Sequence, residues 1–183
     1  MLKPTKGKLL IAEPSILNDP SFNRSVVLLT EHNEEGTVGF ILNKLSRFKL
    51  NELVPEILID FPVYIGGPVE PENLYFIHKK PELIVGSIEI GKGFYWGGNI
   101  EIITKLVNNA EINPDEIRFF LGYSGWEIDQ LNEELEVDSW VVVENDFPNI
   151  LNADDTTLWK NQMIQLGGNY LIWANAPVNP SLN

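Results

Sequence analysis

The sequence predicts a single α+β domain built on a mixed β-sheet. Three observations lead there. The chain has 183 residues, 44% of them apolar, enough to bury the core of one domain without metals or disulfides. Its first half reads as strands joined by tight turns. Its second half alternates helices with strands. No repeat, low-complexity tract or linker divides it.

Gly7–Glu13 (GKLLIAE) reads as a buried strand, and Pro14 and Pro20 bracket the loop after it. Ser25–His32 (SVVLLTEH) is β-branched and aliphatic, as a strand requires. The turn Asn33–Gly36 returns the chain as the hairpin partner Thr37–Leu42. Asn51–Ile57 predicts a short helix interrupted at Pro55. Val63–Ile65 is a short strand running into Gly66, Gly67 and Pro68. Leu74–Lys79, Gly86–Ile90 and Phe94–Trp96 read as further strands.

Asn99 is placed to cap a helix reaching Ala110, with Ile100, Ile103, Leu106, Val107 and Ala110 on one stripe. Ile117–Tyr123 (IRFFLGY) is a strand. Ser124 and Gly125 are expected to turn the chain into a second helix, Trp126–Leu135, which buries Ile128, Leu131 and Leu135. Ser139–Glu144 is another strand, and a third helix runs from Asp155 to Leu166 with Gly167 as its stop. The tail, from about residue 176 to 183, is expected to fray.

The formal net charge is −13, from 13 basic and 26 acidic residues. That sign opposes binding to nucleic-acid phosphates and to anionic membranes. No apolar run approaches the ~18 residues of a transmembrane helix, and the N-terminus lacks a signal-cleavage pattern. A soluble cytoplasmic protein is expected. The charge is uneven: residues 1–107 net −2, while residues 108–183 net −11 with only Arg118 and Lys160 as cations. An acidic face of this kind solvates the protein or docks a basic partner.

Candidate chemistry is sparse. There is no Cys, which removes thiolate metal sites and Cys nucleophiles. His32 and His78 occupy different strands without metal-ligand spacing, so no metal is expected. Gly122, Tyr123, Ser124, Gly125 and Trp126 sit in a strand–turn–helix setting. A nucleophile elbow would need Gly where Trp126 stands, so no catalytic serine is assigned. Free N–H groups at that helix start would suit an anion. Gly66, Gly67 and Pro68 match no phosphate-binding loop and read as a strained turn or a cleft lining. Asp129 and Glu133, one helical turn apart, read as a solvated acidic face. Trp126, beside two glycines, is the aromatic marked for possible exposure.

The chain resembles the YqgE/AlgH family of small bacterial proteins. The landmarks are Gly7–Ala12, Pro14, Asp19–Phe22, Ser25–Leu29, Glu31–His32, Glu35–Gly36, Gly39 and Leu42–Lys44. They continue with Gly66–Val69, Leu121–Trp126, Gln130, Leu131, Glu134, Trp140, Leu158–Trp159 and Leu166–Gly167. Thr37, Leu45, Ser124 and Asp129 depart from the family's usual Ala, Pro, Ala and Gly. The resemblance implies one compact domain whose mixed sheet is strongly bent into a barrel-like core, flanked by about three helices. It implies no reaction, cofactor or catalytic set. Members are often labelled transcriptional regulators, yet this chain shows no helix-turn-helix, and its Trp126–Leu135 segment is too acidic to approach phosphate.

The functional expectation is therefore a non-enzymatic binding or regulatory protein acting through protein partners, basic ones in particular. Its candidate surface is Asn43, Gly66, Gly67, Pro68, Gly122, Tyr123, Ser124, Gly125, Trp126 and Gln130. Asp129, Glu133 and Glu134 would supply charge to it. The alternative is a small-ligand binder or an enzyme of undefined reaction, with Asn43, Tyr123 and Gln130 as polar groups in one cleft. No catalytic residue, cofactor or metal is assigned.

Overall fold

Strand β9, Ile117–Trp126, is the spine of the molecule. The computed structural model describes residues 2–177. Phe119 and Phe120 are neighbours on β9 and point to opposite faces, as the two-residue period of a strand requires. Phe120 enters a core shared with Leu9, Leu28, Phe40, Trp126 and Trp140, while Phe119 enters a second core with Ile103, Val107 and Phe61. A strand buried on both faces reads as a near-continuous apolar run, which IRFFL is.

The other strands are β1 (Leu9–Ala12), β2 (Val26–Asn33), β3 (Gly36–Ile41), β4 (Leu45–Lys49) and β5 (Pro62–Ile65). After them come β6 (Val69–His78), β7 (Ile88–Gly91), β8 (Phe94–Trp96) and β10 (Trp140–Val143). The sheet order is β10-β1-β2-β3-β9-β6-β8-β7, with β5 beside β9 and β4 beside β5. Among the described residues, only the β5–β9 pair is parallel. The sheet is mixed and strongly curled but not closed. Its curl brings β7 back toward the start of β1: a Cβ on Gly7 would stand 3.4 Å from the Ile90 carbonyl oxygen.

Among the described residues, five helices flank it: α1 (Leu50–Leu53), α2 (Ile100–Asn108), α3 (Gln130–Glu136), α4 (Leu158–Leu166) and α5 (Tyr170–Asn175). About three were expected. The difference is the one-turn α1, read in the sequence as a short helix, and α5, which restarts just past the expected stop at Gly167. Asn99 caps α2 as predicted, its side chain accepting from Glu101 N at 2.7 Å. The α2 stripe is shorter than expected. Ile103, Leu106 and Val107 are buried, whereas Ile100 is exposed and Ala110 lies past the helix at φ 56°. Strand β4 was not anticipated, and β6 starts five residues earlier than the Leu74 expected. Of the tail, residues 178–183 lie outside the described residues. Just before them, the Ala176 and Pro177 carbonyls accept from the Arg24 guanidinium at 2.9 Å each.

Helix α5 is tied to the sheet by the Tyr170 hydroxyl, which donates to Glu13 Oε1 at 2.6 Å. Burial, then the Glu13 bond, pushes the phenol up to about 12 from its ordinary 10.0. A raised pKa means the neutral form is favoured in the fold. Its stabilisation is complete below pH 10.0 and disappears as pH rises through about 12. Tyr170→Phe should delete a late component of the phenolate absorbance titration and flatten the alkaline fall in stability. An unchanged titration curve would disprove the assignment.

Candidate functional site

Two glycine-bearing segments meet where the chain crosses β9. Strands β5 and β6 lie on opposite edges of β9, since both pair with residues Phe119–Leu121. The three residues between them, Gly66, Gly67 and Pro68, must therefore pass over the face of β9. They do so at Gly122 and Tyr123. A Cβ on Gly66 would lie 2.3 Å from Gly122 O, one on Gly67 2.2 Å from Tyr123 O, and one on Gly122 2.6 Å from Gly67 O. Backbone lies on backbone here, with no room for side chains. Gly122 also has φ 66°, which marks the point where β9 exchanges β5 for β3 on that edge. The glycines are thus explained by packing rather than by a ligand loop.

Ser124 and Gly125 are not a turn. They continue β9 and pair with Gly39 and Val38 of β3, so their N–H groups are not left free at a helix start. The expected helix from Trp126 begins instead at Gln130, after Asp129 at φ 64°. That left-handed conformation suits the glycine usual in the resembled family better than Asp. Ile128 consequently points to solvent, 64% exposed, while Leu131 and Leu135 are buried as predicted. Ser124 is fully buried, and its hydroxyl donates to Gly66 O at 2.9 Å. Gly66 O also accepts from Ile41 N at 2.8 Å, so removing the hydroxyl leaves no orphan. Ser124→Ala should cost no more than about 1 kcal/mol in urea unfolding. A loss above about 2 kcal/mol would show that the hydroxyl has a further role.

Trp126 is buried, 5% exposed, rather than displayed. Its indole N–H and that of Trp140 both donate to Glu134 Oε2, at 2.9 and 2.7 Å. Gln130 Nε2 donates to Glu134 Oε1 at 2.9 Å, and Gln130 Oε1 accepts from Glu127 N. Glu134 is therefore a structural bridge between β9, β10 and α3, not a free docking charge. Asn43 is remote from this network. Its amide accepts from Val26 N and donates to Arg24 O, holding the loop before β2. A single cleft holding Asn43, Tyr123 and Gln130 does not form, because Asn43 lines a different concavity from the other two.

The two histidines are apart in role as well as in sequence. His32 Nδ1 meets Thr37 Oγ1 at 2.7 Å. His78 is buried, its Nδ1 accepts from Lys80 N, and burial pushes its pKa down. Among the described residues no three metal-ligating side chains converge. Sequence reasoning missed Arg118, which is buried on β9. Its guanidinium donates to Leu42 O and Leu151 O and lies 4.2 Å from the Tyr64 ring centroid. Its one available signal was a lone cation inside the apolar run IRFFL.

What Tyr123, Gly125, Trp126 and Gln130 do share is a groove of about 570 Å³. The β2–β3 hairpin supplies Glu31, Asn33, Glu35, Gly36, Thr37 and Val38, and Val69 and Glu127 complete it. The lining holds three carboxylates, Glu31, Glu35 and Glu127, and no Lys or Arg. Glu35 and Glu127 are exposed and Glu31 half-buried. Tyr123 stands half-buried among them, edge-on to Tyr75 at 5.7 Å. Asp129 and Glu133 line a separate concavity with Lys3.

The AlgH-like family profile matches residues 9–171. The chain belongs to the AlgH-like family. A UPF0301 protein of Chlorobaculum tepidum is 40% identical over 184 residues, spanning 100% of this chain and 97% of its own. One from Cytophaga hutchinsonii is likewise 40% identical, over 98% of this chain and 99% of its own. The solution structure of the AlgH protein of Pseudomonas aeruginosa superposes with a TM-score of 0.73 at 25% identity, covering 97% and 98% of the two chains. A crystal structure of a Corynebacterium diphtheriae protein, with TM-score 0.78 at 22% identity over 96% and 94%, shares the fold. No helix of the described residues in this AlgH-like chain is long and apolar enough to cross a membrane.

Proposed function

We propose that the chain is a non-enzymatic, cytoplasmic binding protein that acts as a regulator through a protein partner, and that a basic segment of that partner lies in the groove beside Tyr123. One observation carries this reading: three carboxylates and no cation line a groove floored by β3 and β9. Charges of one sign in a concave, partly desolvated setting focus their field and raise the local concentration of the opposite charge. The half-buried Tyr123 ring, packed beside Gly125 and Val69, gives a lysine or arginine stem an aromatic surface to lie on. The same field repels a nucleic-acid backbone, so regulation through this groove would be indirect.

The test uses the full chain and a fluorescent peptide alternating arginine with small residues, followed by anisotropy at low and moderate salt. The triple variant Glu31→Lys, Glu35→Lys and Glu127→Lys should weaken binding at least tenfold. An equal charge change at Asp129, just before α3, and at Glu133 and Glu136 on it should alter it far less. If both triple variants lose binding equally, the attraction belongs to net charge and the groove reading fails. A duplex DNA probe should show no saturable binding even at low salt.

A further inference from the structure

The basic residues of this acidic chain are not scattered at random around its concavities. Arg24, Lys44 and Lys160 line one concavity of about 560 Å³, together with Asn23, Asn43 and Thr156. Lys160 is one of only two cations in residues 108–183, and it lies here. Asp155 is the carboxylate in the lining, and Asp19 acts on Lys44 from nearby. The lining alone carries two more positive charges than negative, in a protein of net charge −13.

Three segments far apart in sequence bring its charged residues, and a fourth, Ala174–Pro177, completes the lining. The loop before β2 brings Pro20 to Arg24, the end of the β2–β3 hairpin brings Asn43 and Lys44, and the start of α4 brings Asp155 to Lys160. Arg24 and Lys44 are held with donors to spare, and Lys160 is exposed at the rim. Lys44 Nζ donates to Pro20 O and Ser21 O, which leaves one of its three N–H groups. Arg24 uses only Nη2, on Ala176 O and Pro177 O, leaving Nε–H and the Nη1 pair without a partner among the described residues. Its guanidinium is held 5.0 Å from the Trp159 ring centroid, which fixes its plane. Arg24 itself has φ 53°, a left-handed conformation that a bulky side chain rarely adopts. Asn23 Oδ1 is buried with no hydrogen-bond partner. An amide can present its NH₂ in place of its oxygen, so this group can turn to suit an acceptor.

We infer that this concavity is a binding site for a small molecule carrying a phosphate or carboxylate group, with Arg24, Lys44 and Lys160 as its oxyanion contacts. The unused Nε–H and Nη1–H groups of Arg24 and the spare N–H of Lys44 are charged donors, and charge-assisted hydrogen bonds to an oxyanion are the strong ones. The volume lies within the range of small-molecule sites. The net charge of the whole chain opposes a polyanion, which leaves a small one. The site is independent of the acidic groove and holds whether or not that groove binds a partner.

Backbone NMR titration of the full chain tests it, with inorganic phosphate, citrate and chloride at matched ionic strength. Phosphate or citrate should give saturable shifts at residues 23–24, 43–44 and 155–160, and chloride should not. The tighter of the two names the headgroup. Lys160→Glu, an exposed change, should weaken binding tenfold or more. Arg24→Asn should do the same while keeping a residue tolerant of left-handed φ. Lys105→Glu, on the remote α2 surface, should leave affinity unchanged. The inference is overturned if no saturable shift appears by about 10 mM, a dissociation constant too weak to matter. It is equally overturned if Lys105→Glu and Lys160→Glu weaken binding alike.

Discussion

Gly66→Ala should destabilise the fold by about 3 kcal/mol or more, with a fall in Tm of about 6–12 °C. Its backbone conformation is open to any residue, so the penalty is overlap alone. The added Cβ would lie 2.3 Å from Gly122 O, 2.8 Å from Phe40 Cδ1 and 3.1 Å from Phe120 Cβ. A carbonyl oxygen inside a sheet cannot move aside as a side-chain tip can. Gly86→Ala makes the opposite comparison. Gly86 has φ 85° with nothing within 4 Å of the new Cβ, so only conformational strain remains. That should cost about 1–2 kcal/mol. Thermal and urea unfolding of both variants would separate the two effects. Equal losses would mean that the connection from β5 to β6 does not press on β9.

Glu134→Ala should cost about 3 kcal/mol, because two indole N–H groups lose the same carboxylate oxygen. Trp126 and Trp140 are packed edge to face at 5.7 Å, so the loss should also change near-UV circular dichroism and tryptophan fluorescence. Glu134→Gln should fall between. It can offer one oxygen to the indoles, but its NH₂ then faces the Gln130 amide, which donates to Glu134 in the wild type. Glu133→Ala, exposed on the neighbouring position of α3, should change stability by less than about 0.5 kcal/mol. If Glu133→Ala and Glu134→Ala behave alike, the bridge is not a source of stability. The same geometry rules Glu134 out of any charge-reversal test of partner binding, since reversal would place an ammonium beside two N–H donors.

Local patterns made much of the fold legible. The run SVVLLTEH, the turn NEEG and the return TVGFIL carry their own hairpin, because strand periodicity and turn chemistry act within a few residues. Asn99 and Gly167 mark the ends of helices for the same reason. The glycines of Leu121–Trp126 were another matter. A glycine inside a strand and a glycine at a turn look the same in one sequence, and only the crossing of β5 to β6 shows which is present. Strand β4 was hidden because its LSRFK pattern has no uniformly apolar face, and its reason for being extended is its partner β5.

The α+β class, the family, the main hairpin, the capped helix α2 and the acidity of the second half are all readable from the chain without its structure. Grouping Gly66–Pro68 with Gly122–Trp126 in one candidate surface expects the two segments to be neighbours, and the crossing brings Gly66 and Gly67 onto Gly122 and Tyr123. Which charges stand together emerges only when distant segments pack. Glu31 and Glu35 meet Glu127 across two strands, and Arg24 and Lys44 meet Lys160 across three segments. The same packing decides that Glu134 faces two buried indoles while Glu133 faces water. The physical reason is range. Secondary structure follows from neighbours along the chain, whereas a binding surface is set by side chains brought together from distant segments, and that proximity exists only after the sheet has curled.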